Sequence, residues 1–303
     1  MVYYTGNVSE KGVTIVILDC ILTAIAFLLL VCIWSMVIDG HRFVVREWKA
    51  ADKRIKKPCR CIVLSDLHNK QYGPENALLL QKIRQLEPDL IFAAGDICTA
   101  SPGKSFEPAL AFLGELAKEF PVCYANGNHE QRMKLYPKTY GDMAKEYGES
   151  LEKIGIRPLV NEHTLLEEYG LCVFGLEIDK MFYNRFQRQE MSPAYVEECL
   201  GRPDPEHYTV LLAHNPEYFD AYAGWGADLT ISGHVHGGVA RVPFWGKGVI
   251  SPRLRLFPKY DGGIFSQNGR TMLLSRGLGE HTIPIRVFNP GELWVIDFEK
   301  QDA

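Results

Sequence analysis

The sequence predicts a domain of the α/β class that follows one membrane-spanning helix near the N-terminus. Residues 20–38 form an uncharged apolar run of 19 residues, about the length that an α-helix needs to cross a bilayer. From Cys59 onward, short runs rich in Val, Ile and Leu alternate with segments of helical spacing. This alternation at short intervals indicates strands that are buried on both faces.

Bulk composition is that of an ordinary folded protein, and it narrows the function classes only slightly. A chain of 303 residues is long enough for one large domain, and no second-domain linker is evident. The net charge of −4 gives no electrostatic case for a nucleic-acid partner. Eight scattered cysteines without a CxxC pair favour reduced thiols over a disulfide framework.

The N-terminal residues 1–40 are predicted to be a membrane anchor. Trp34 lies near the end of the apolar run, where an interfacial aromatic residue would sit. A cleaved signal peptide is the alternative, but the run is longer than a typical signal core and no small-x-small cleavage site follows it. We therefore expect a single-pass anchor that is retained in the lipid bilayer.

Flanking charge predicts the orientation of that anchor. Before the run stands Lys11, and after it come seven basic residues: Arg42, Arg46, Lys49, Lys53, Arg54, Lys56 and Lys57. The positive-inside rule then places the larger part of the chain in the cytoplasm. Residues 41–58 are expected to form a basic juxtamembrane linker or an edge strand, in contact with anionic lipid. Residues 59–303 form the main domain.

Apolar runs and helical spacing locate the elements of this domain. The predicted strands are 61–66, 89–96, 121–130, 171–178, 208–215, 227–238, 271–277 and 292–299, and the predicted helices are 75–88, 108–120, 191–201 and 216–226. The segment 131–158 is predicted to be either a partial lid or a peripheral helix.

Five of the apolar runs deliver Asp, His or Asn at one polar end. The blocks are Asp66-Leu67-His68, Gly95-Asp96, Gly127-Asn128-His129-Glu130, His214-Asn215 and Gly233-His234-Val235-His236. In open α/β sheets, ligands bind at the carboxyl ends of the strands. Imidazole and carboxylate groups suit Zn, Mn, Fe or Ni, and thiolate is absent from the set. Each block alone is weak evidence, but the ordered set of five predicts a divalent-metal site.

This ordered set resembles the full signature of the calcineurin-like metallophosphoesterases, with a match that spans 61–238. The segments 258–263 and 275–286, together with the N-terminal anchor, resemble the bacterial membrane-associated branch of that family. The resemblance implies two mixed β-sheets packed as a sandwich and flanked by helices. It extends the metallophosphoesterase domain through the C-terminal tail.

The resemblance also implies roles, residue by residue. Two divalent ions would have seven ligands: Asp66, His68 and His236 on the first, Asn128, His214 and His234 on the second, and Asp96 bridging both. His129 would be the catalytic residue that acts on the leaving group. Glu130 would orient a histidine from behind the ligands. The ions would clamp a phosphoryl group and hold an attacking hydroxide.

The substrate is the least defined of the predictions. A phosphodiester is favoured, and tethering to a membrane raises the case for a lipid-linked one. Arg241, Arg253 and Arg255 are candidate substrate-binding residues, with solvated surface charge as the alternative. Two other functions remain open: a phosphomonoesterase or nuclease, and a non-catalytic scaffold at the membrane. A serine hydrolase has little support because the chain has no GxSxG motif.

Overall fold

The computed structural model describes residues 10–184, 189–238, 240–251, 256–280 and 285–301, with side chains from residue 13 onward. It begins with helix α1, Glu10–Asp39, whose 30 residues rise by roughly 45 Å. Within it, Val13–Asp39 is long and apolar enough to cross a membrane. Side chains such as Leu18, Phe27 and Leu30 are more than half exposed, so the rest of the protein does not cover this part of the helix.

The first sheet has five strands in the order β1-β11-β2-β3-β4. Their bounds are β1 Phe43–Asp52, β2 Cys59–Leu64, β3 Leu90–Ala94, β4 Val122–Ala125 and β11 Gly291–Lys300. Strands β2, β3 and β4 are parallel to one another, whereas β11 runs antiparallel to β2 and parallel to β1. The sheet is therefore mixed, and the C-terminal strand lies between the first two.

The second sheet has six strands in the order β5-β6-β7-β8-β10-β9. Their bounds are β5 Glu162–Leu166, β6 Leu171–Leu176, β7 Tyr208–Ala213, β8 Leu229–Ser232, β9 Gly263–Gln267 and β10 Arg270–Leu274. The four central strands are parallel, and the two edge strands pair antiparallel with their neighbours. Both sheets are thus mixed, as the resemblance implied.

One apolar layer joins the inner faces of the two sheets. It includes Val63 and Phe92 from the first sheet and Val210, Leu212 and Leu273 from the second, all fully buried. Face-to-face packing of this kind removes both inner surfaces from water, and that burial is the main stabilising contribution. The predicted sandwich architecture is confirmed.

Helices cover the outer faces of the sandwich. Their bounds are α2 Ala77–Gln85, α3 Glu107–Ala117, α4 Asn128–Leu135, α5 Pro137–Tyr140, α6 Met143–Lys153, α7 Pro193–Leu200 and α8 Phe219–Trp225. Residues from α2, α3 and α6 belong to the core on the first sheet, and residues from α7 and α8 belong to the core on the second.

Three segments differ from the simplest sequence prediction or decide between its alternatives. Residues 43–52 form edge strand β1, paired with β11, so the linker description is wrong for them and the edge-strand alternative holds. The predicted strand 121–130 ends at Ala125, and helix α4 already begins at Asn128. In the segment 131–158, Tyr147 and Leu151 of α6 are buried in the core, which favours a peripheral helix over a lid.

Candidate metal centre

The five polar blocks of the sequence meet at one edge of the sandwich. Asp66 and Asp96 follow β2 and β3 of the first sheet, and His214 directly follows β7 of the second. His234 and His236 lie in the turn after β8. The first turn of α4 adds Asn128 and His129. The carboxyl ends of parallel strands from both sheets therefore supply the site together.

The backbone at this edge is folded back by residues with positive φ. The φ angle is 50° at Asp66, 51° at His68, 53° at Asp96, 71° at His234 and 49° at His236. Such angles are uncommon for residues other than glycine and cost free energy, so the surrounding structure must hold them. Hydrogen bonds between the loops after β2 and β3 provide part of that support, with the Asp66 and His68 amides donating to carbonyls at 3.0 and 3.1 Å.

Two glycines allow the loops after β3 and β4 to touch. A β-carbon on Gly95, whose φ is +85°, would lie 2.5 Å from the backbone nitrogen of Gly127. A β-carbon on Gly127 would in turn overlap the side chain of Asp96. Close backbone approach of this kind is possible only without a side chain. The glycines of the GD and GNH blocks are therefore required by packing around Asp96.

A first group of potential ligands consists of Asp66, His68 and His236. One donor atom from each lies within 4.8 Å of the other two. The Nε2 atom of His236 lies 3.2 Å from Asp66 Oδ1 and also 3.2 Å from His68 Nε2. This is the set that the resemblance implied for the first metal ion.

A second group consists of Asp96, His214 and His234, again with donor atoms within 4.8 Å of one another. His214 Nε2 lies 3.1 Å from Asp96 Oδ2. The side-chain amide of Asn128 ends 2.7 Å from His234 Nδ1 and so adjoins this group. Asp96 also groups with His68 and His129, which gives its carboxylate a position between the two sets.

The charges in the site favour a cation. Burial alone would raise the pKa of Asp66. The neighbouring imidazoles of His236 and His214 outweigh burial and hold that pKa well below its ordinary value. Burial lowers the pKa of His68, and burial together with His214 lowers that of His234 to about 3. Ionised carboxylates beside neutral imidazoles, here those of His68 and His234, are what a divalent ion binds.

His214 shows how well the site fits a metal. Burial opposes protonation of this imidazole, but the carboxylates of Asp96 and Asp66 raise its pKa to about 10. Its Nδ1 atom lies 2.8 Å from the carbonyl oxygen of Ala94, to which it can only donate. Among the described residues, no group meets the buried Nε2 atom with the geometry of a hydrogen bond, although Asp96 Oδ2 lies 3.1 Å away. A ring nitrogen oriented this way, with an acidic group beside it, is typical of a metal ligand.

His129 differs from the other histidines in its hydrogen bonding. Its Nδ1 atom accepts a hydrogen bond of 3.0 Å from the backbone N–H of Ala100. The neutral ring therefore carries its proton on Nε2, and burial lowers the pKa of His129, which favours that neutral form. Its ring lies 4.6 Å from the ring of His68, edge to face. His129 thus presents an N–H donor beside the ligand groups.

Glu130 lies behind the ligands, but its partners differ from the prediction. Its carboxylate accepts hydrogen bonds from the backbone N–H groups of Asp96, Ile97 and Gly127 at 2.9–3.0 Å, and from the hydroxyl of Tyr124 at 2.9 Å. Burial, and then Asp96, raise the pKa of Glu130 to about 7. Among the described residues, these partners are backbone amides and a tyrosine rather than a histidine, so Glu130 ties two ligand-bearing loops together.

Of the three predicted substrate-binding arginines, Arg241 lies within the described part of the structure. Arg241 is buried, and its guanidinium donates to the carbonyl oxygens of Gly237, Gly246 and Asp261. These contacts hold the chain that follows the His236 turn. Arg253 and Arg255 lie outside the described residues.

Two supporting residues were missed by the sequence reasoning. The side-chain amide of Asn289 donates to the carbonyl oxygens of His236 and Gly238, at 2.8 and 2.7 Å. Arg286 is buried, and its guanidinium donates to the carbonyl oxygen of Gly277, at 3.1 Å. A β-carbon on Gly277 would contact Asp66. No local pattern marks Asn289, whereas Arg286 lies in the segment 275–286 that carried part of the resemblance.

Comparisons with known proteins agree with this geometry. The family model described as calcineurin-like phosphoesterase matches residues 59–238, more than half of the chain. The chain is 24% identical over 241 residues to "Phosphodiesterase YaeI" of Escherichia coli strain K12, covering 78% of this chain and 81% of that protein. It is 23% identical over 278 residues to "UDP-2,3-diacylglucosamine pyrophosphatase LpxG" of Chlamydia muridarum, covering 78% and 82%.

A third relative is named as a transmembrane protein. The chain is 26% identical over 194 residues to "Transmembrane protein with metallophosphoesterase domain" of Bos taurus. That match covers 59% of this chain, which spans only 40% of the length of the bovine protein. With its family model matched and two mixed sheets that bring the motif residues together, this chain belongs to the calcineurin-like phosphoesterase family.

Proposed function

We propose that this chain is a metal-dependent phosphohydrolase that cleaves a phosphoester, with a phosphodiester as the favoured substrate class. The observation that carries the proposal is the position of Asp96. Its carboxylate belongs to one ligand group with His214 and His234 and to another with His68 and His129. A carboxylate shared in this way supports a centre for two ions, which is the arrangement used for in-line displacement at phosphorus.

The assignment of ligands follows the two groups. Asp66, His68 and His236 would hold one ion, Asn128, His214 and His234 the other, and Asp96 both. The mixture of imidazole, carboxylate and amide fits Mn, Zn, Fe or Ni. When bound, such ions supply Lewis acidity that polarises a phosphoryl group and acidifies water. The chain's own residues hold this centre with ionised carboxylates and buried, mostly neutral imidazoles.

His129 is proposed to act on the leaving group. Because Nδ1 accepts the Ala100 amide, the Nε2–H is the part of the ring that is left to meet a substrate. A donor there offsets negative charge on the departing oxygen or transfers a proton to it. The backbone N–H of His129 donates to Asp96 Oδ1 at 2.7 Å, which keeps the ring at a constant position relative to the bridging carboxylate.

A lipid-linked phosphodiester is the substrate that we favour. One relative is named as a phosphodiesterase and another as a pyrophosphatase of a diacylated sugar nucleotide. Those names describe the relatives, and they support rather than establish the same class here. An enzyme fixed to a bilayer meets membrane substrates at high local concentration. Hydrolysis of a soluble aryl diester and of a diester presented in vesicles at equal rates would remove this support.

We further propose that α1 is retained as a membrane anchor with the catalytic domain in the cytoplasm. The retained helix is supported by contacts at its end. Ser35 accepts a hydrogen bond from the backbone N–H of Phe288 at 2.7 Å, and Asp39 accepts one from that of Asn289 at 2.8 Å. Orientation rests on the basic residues that follow α1. Protease protection of the domain in sealed vesicles of known sidedness would decide it.

The first experiment measures hydrolysis by the full-length chain in detergent. An aryl phosphodiester and an aryl phosphomonoester are offered with Mn, Ni, Zn or a chelator. We expect metal-dependent cleavage that Asp96→Asn abolishes and the surface control Asp142→Asn retains. Metal-independent cleavage, or full activity of Asp96→Asn, would overturn the proposal. Metal binding without turnover of any diester, soluble or in vesicles, would favour the scaffold alternative.

A further inference from the structure

A cavity of about 710 Å³ lies where the end of α1 meets the catalytic domain. The last turns of α1 form one wall, the start of β1 forms a second, and residues 241–246 and 288–290 close the remainder. Among the described residues, none of the proposed metal ligands lines it. The cavity is therefore separate from the metal centre, although both adjoin the chain that follows His236.

Four arginines converge on this cavity: Arg42, Arg46, Arg241 and Arg276. The carboxylates that pair with them are almost fully buried, whereas Arg42 and Arg46 remain about half exposed. Arg46 contacts Glu292 at 3.1 Å through Nε, and Arg276 contacts the same carboxylate at 2.5 Å. A guanidinium has five N–H donors, so within the described part of the chain the carboxylate that Arg46 and Arg276 share leaves several of their donors available to an anion.

The rim of the cavity is apolar and is continuous with the exposed surface of α1. Trp34 is 65% exposed, and Phe244 is fully exposed. Beside them, Trp245 and Phe257 are also exposed, with ring centroids 5.9 Å apart. Exposed aromatic side chains grouped in this way mark a binding surface. Trp34 and Phe244 both line the cavity at the end of α1, so with α1 spanning the bilayer as proposed they would lie at the level of lipid head groups.

We propose that this cavity binds the phosphate head group of an anionic phospholipid, with the acyl chains lying along Trp34 and Phe244. Guanidinium groups bind phosphate oxygens through paired hydrogen bonds, which matches the cluster around Arg46. The apolar rim selects a whole lipid over free phosphate. The site goes beyond the proposed hydrolase activity, since it would exist whether the substrate is soluble or lipid-linked.

Lipid in this cavity would also set the position, relative to the bilayer, of the sandwich edge that carries the proposed metal ligands. Arg276 packs against Gly237, next to His236, and the segment 288–290 is bonded to the end of α1. The head group would thus contact elements that belong to both the helix and the metal-bearing turn. Binding is expected to strengthen their association, because a ligand stabilises the form that binds it.

The experiment compares lipid retention by the full-length chain in non-ionic detergent, using native mass spectrometry. Phosphatidylglycerol and phosphatidylcholine are offered in parallel, and soluble glycerol phosphate is added as a competitor. Wild type is expected to retain phosphatidylglycerol in preference to phosphatidylcholine. Arg46→Gln is expected to weaken that retention about fivefold, the size expected for one arginine at an anionic surface. Phe244→Ser is expected to weaken retention of both lipids.

Matched controls change the same residue types away from the cavity. Arg157→Gln removes an exposed arginine that pairs with Glu162, and Leu78→Ser removes an exposed apolar side chain. Both are expected to retain lipid like wild type. Equal retention of the two lipids, wild-type retention by Arg46→Gln, or displacement by glycerol phosphate would each overturn the proposal. Aryl diester hydrolysis by Arg46→Gln should be unchanged, which separates this result from failure of the proposed activity.

Discussion

Asp39 accepts a 2.8 Å hydrogen bond from the backbone N–H of Asn289, and this contact joins the apolar helix to the metal centre. The side-chain amide of Asn289 then donates to the carbonyl oxygens of His236 and Gly238. Asp39 and Asn289 are both buried. The end of α1 and the turn that carries His236 are therefore parts of one hydrogen-bonded unit, although 250 residues separate the two partners in sequence.

Asn289→Ala tests that connection. Two buried carbonyls lose their donor, so we expect the free energy of unfolding to fall by roughly 2 kcal/mol. Loss of an outer contact to a ligand typically weakens metal affinity about tenfold to a hundredfold. Thermal unfolding and metal titration of the purified chain measure the two effects. Unchanged metal affinity would mean that the turn keeps its shape without Asn289.

His129→Ala is expected to lose turnover while keeping metal. The ring presents an N–H donor and its Nδ1 is already occupied by Ala100, so it has no free ligand atom at that nitrogen. Removing a general acid typically lowers kcat by about 10²–10⁴-fold. Metal content by elemental analysis and kcat on an aryl diester give the comparison. The exposed His163→Ala serves as the control, and a fall in metal content with His129→Ala would make His129 a ligand instead.

Glu130→Gln is expected to weaken both stability and metal binding. The carboxylate accepts backbone N–H groups on both oxygens, whereas an amide NH₂ would face those donors with another donor. A buried donor without an acceptor costs about 1–3 kcal/mol. Urea unfolding and metal titration measure the loss, with Glu119→Gln at the surface as the control. Wild-type behaviour of both variants would show that Glu130 does not hold the loops.

Asp52→Asn tests how the free energy of unfolding falls at acidic pH. Hydrogen bonds from Arg54, at 2.8 Å, hold the pKa of Asp52 below its ordinary value. A lowered pKa in the folded state stabilises the fold above the unfolded pKa of 3.8, and that stability is lost as pH falls through the lower folded value. We expect wild type to lose more stability below about pH 4 than the variant does.

The matching measurement is urea unfolding over a pH series. Because water screens the partly exposed Asp52–Arg54 pair, its contribution at neutral pH is expected to be below about 1 kcal/mol. Asp142→Asn, whose side chain makes no capping hydrogen bond, should follow the wild-type curve. Parallel curves for wild type and Asp52→Asn would contradict the assigned pKa shift.

Central strands were predictable because burial on both faces makes them continuous apolar runs. The predicted strand 208–215 contains β7, and the predicted strand 61–66 overlaps β2 over residues 61–64; both strands are buried almost throughout. The edge strands β5 and β9 were missed. Their side chains alternate between exposed and half-buried, and polar residues interrupt the apolar pattern. What makes them strands is pairing with β6 and β10, which no local pattern encodes.

By itself the sequence determined which chemical groups the site would contain, because motif residues and the apolar runs that precede them are local features of the chain. It also determined the apolar helix, because an uncharged run of 19 residues identifies such a helix without any tertiary contact. Only the tertiary structure decided how those groups meet. The proton position on His129, the amide partners of Glu130 and the link from Asp39 to Asn289 depend on distances between loops of different strands. Those distances are set by the packing of the two sheets, so residues far apart in sequence acquire their roles together.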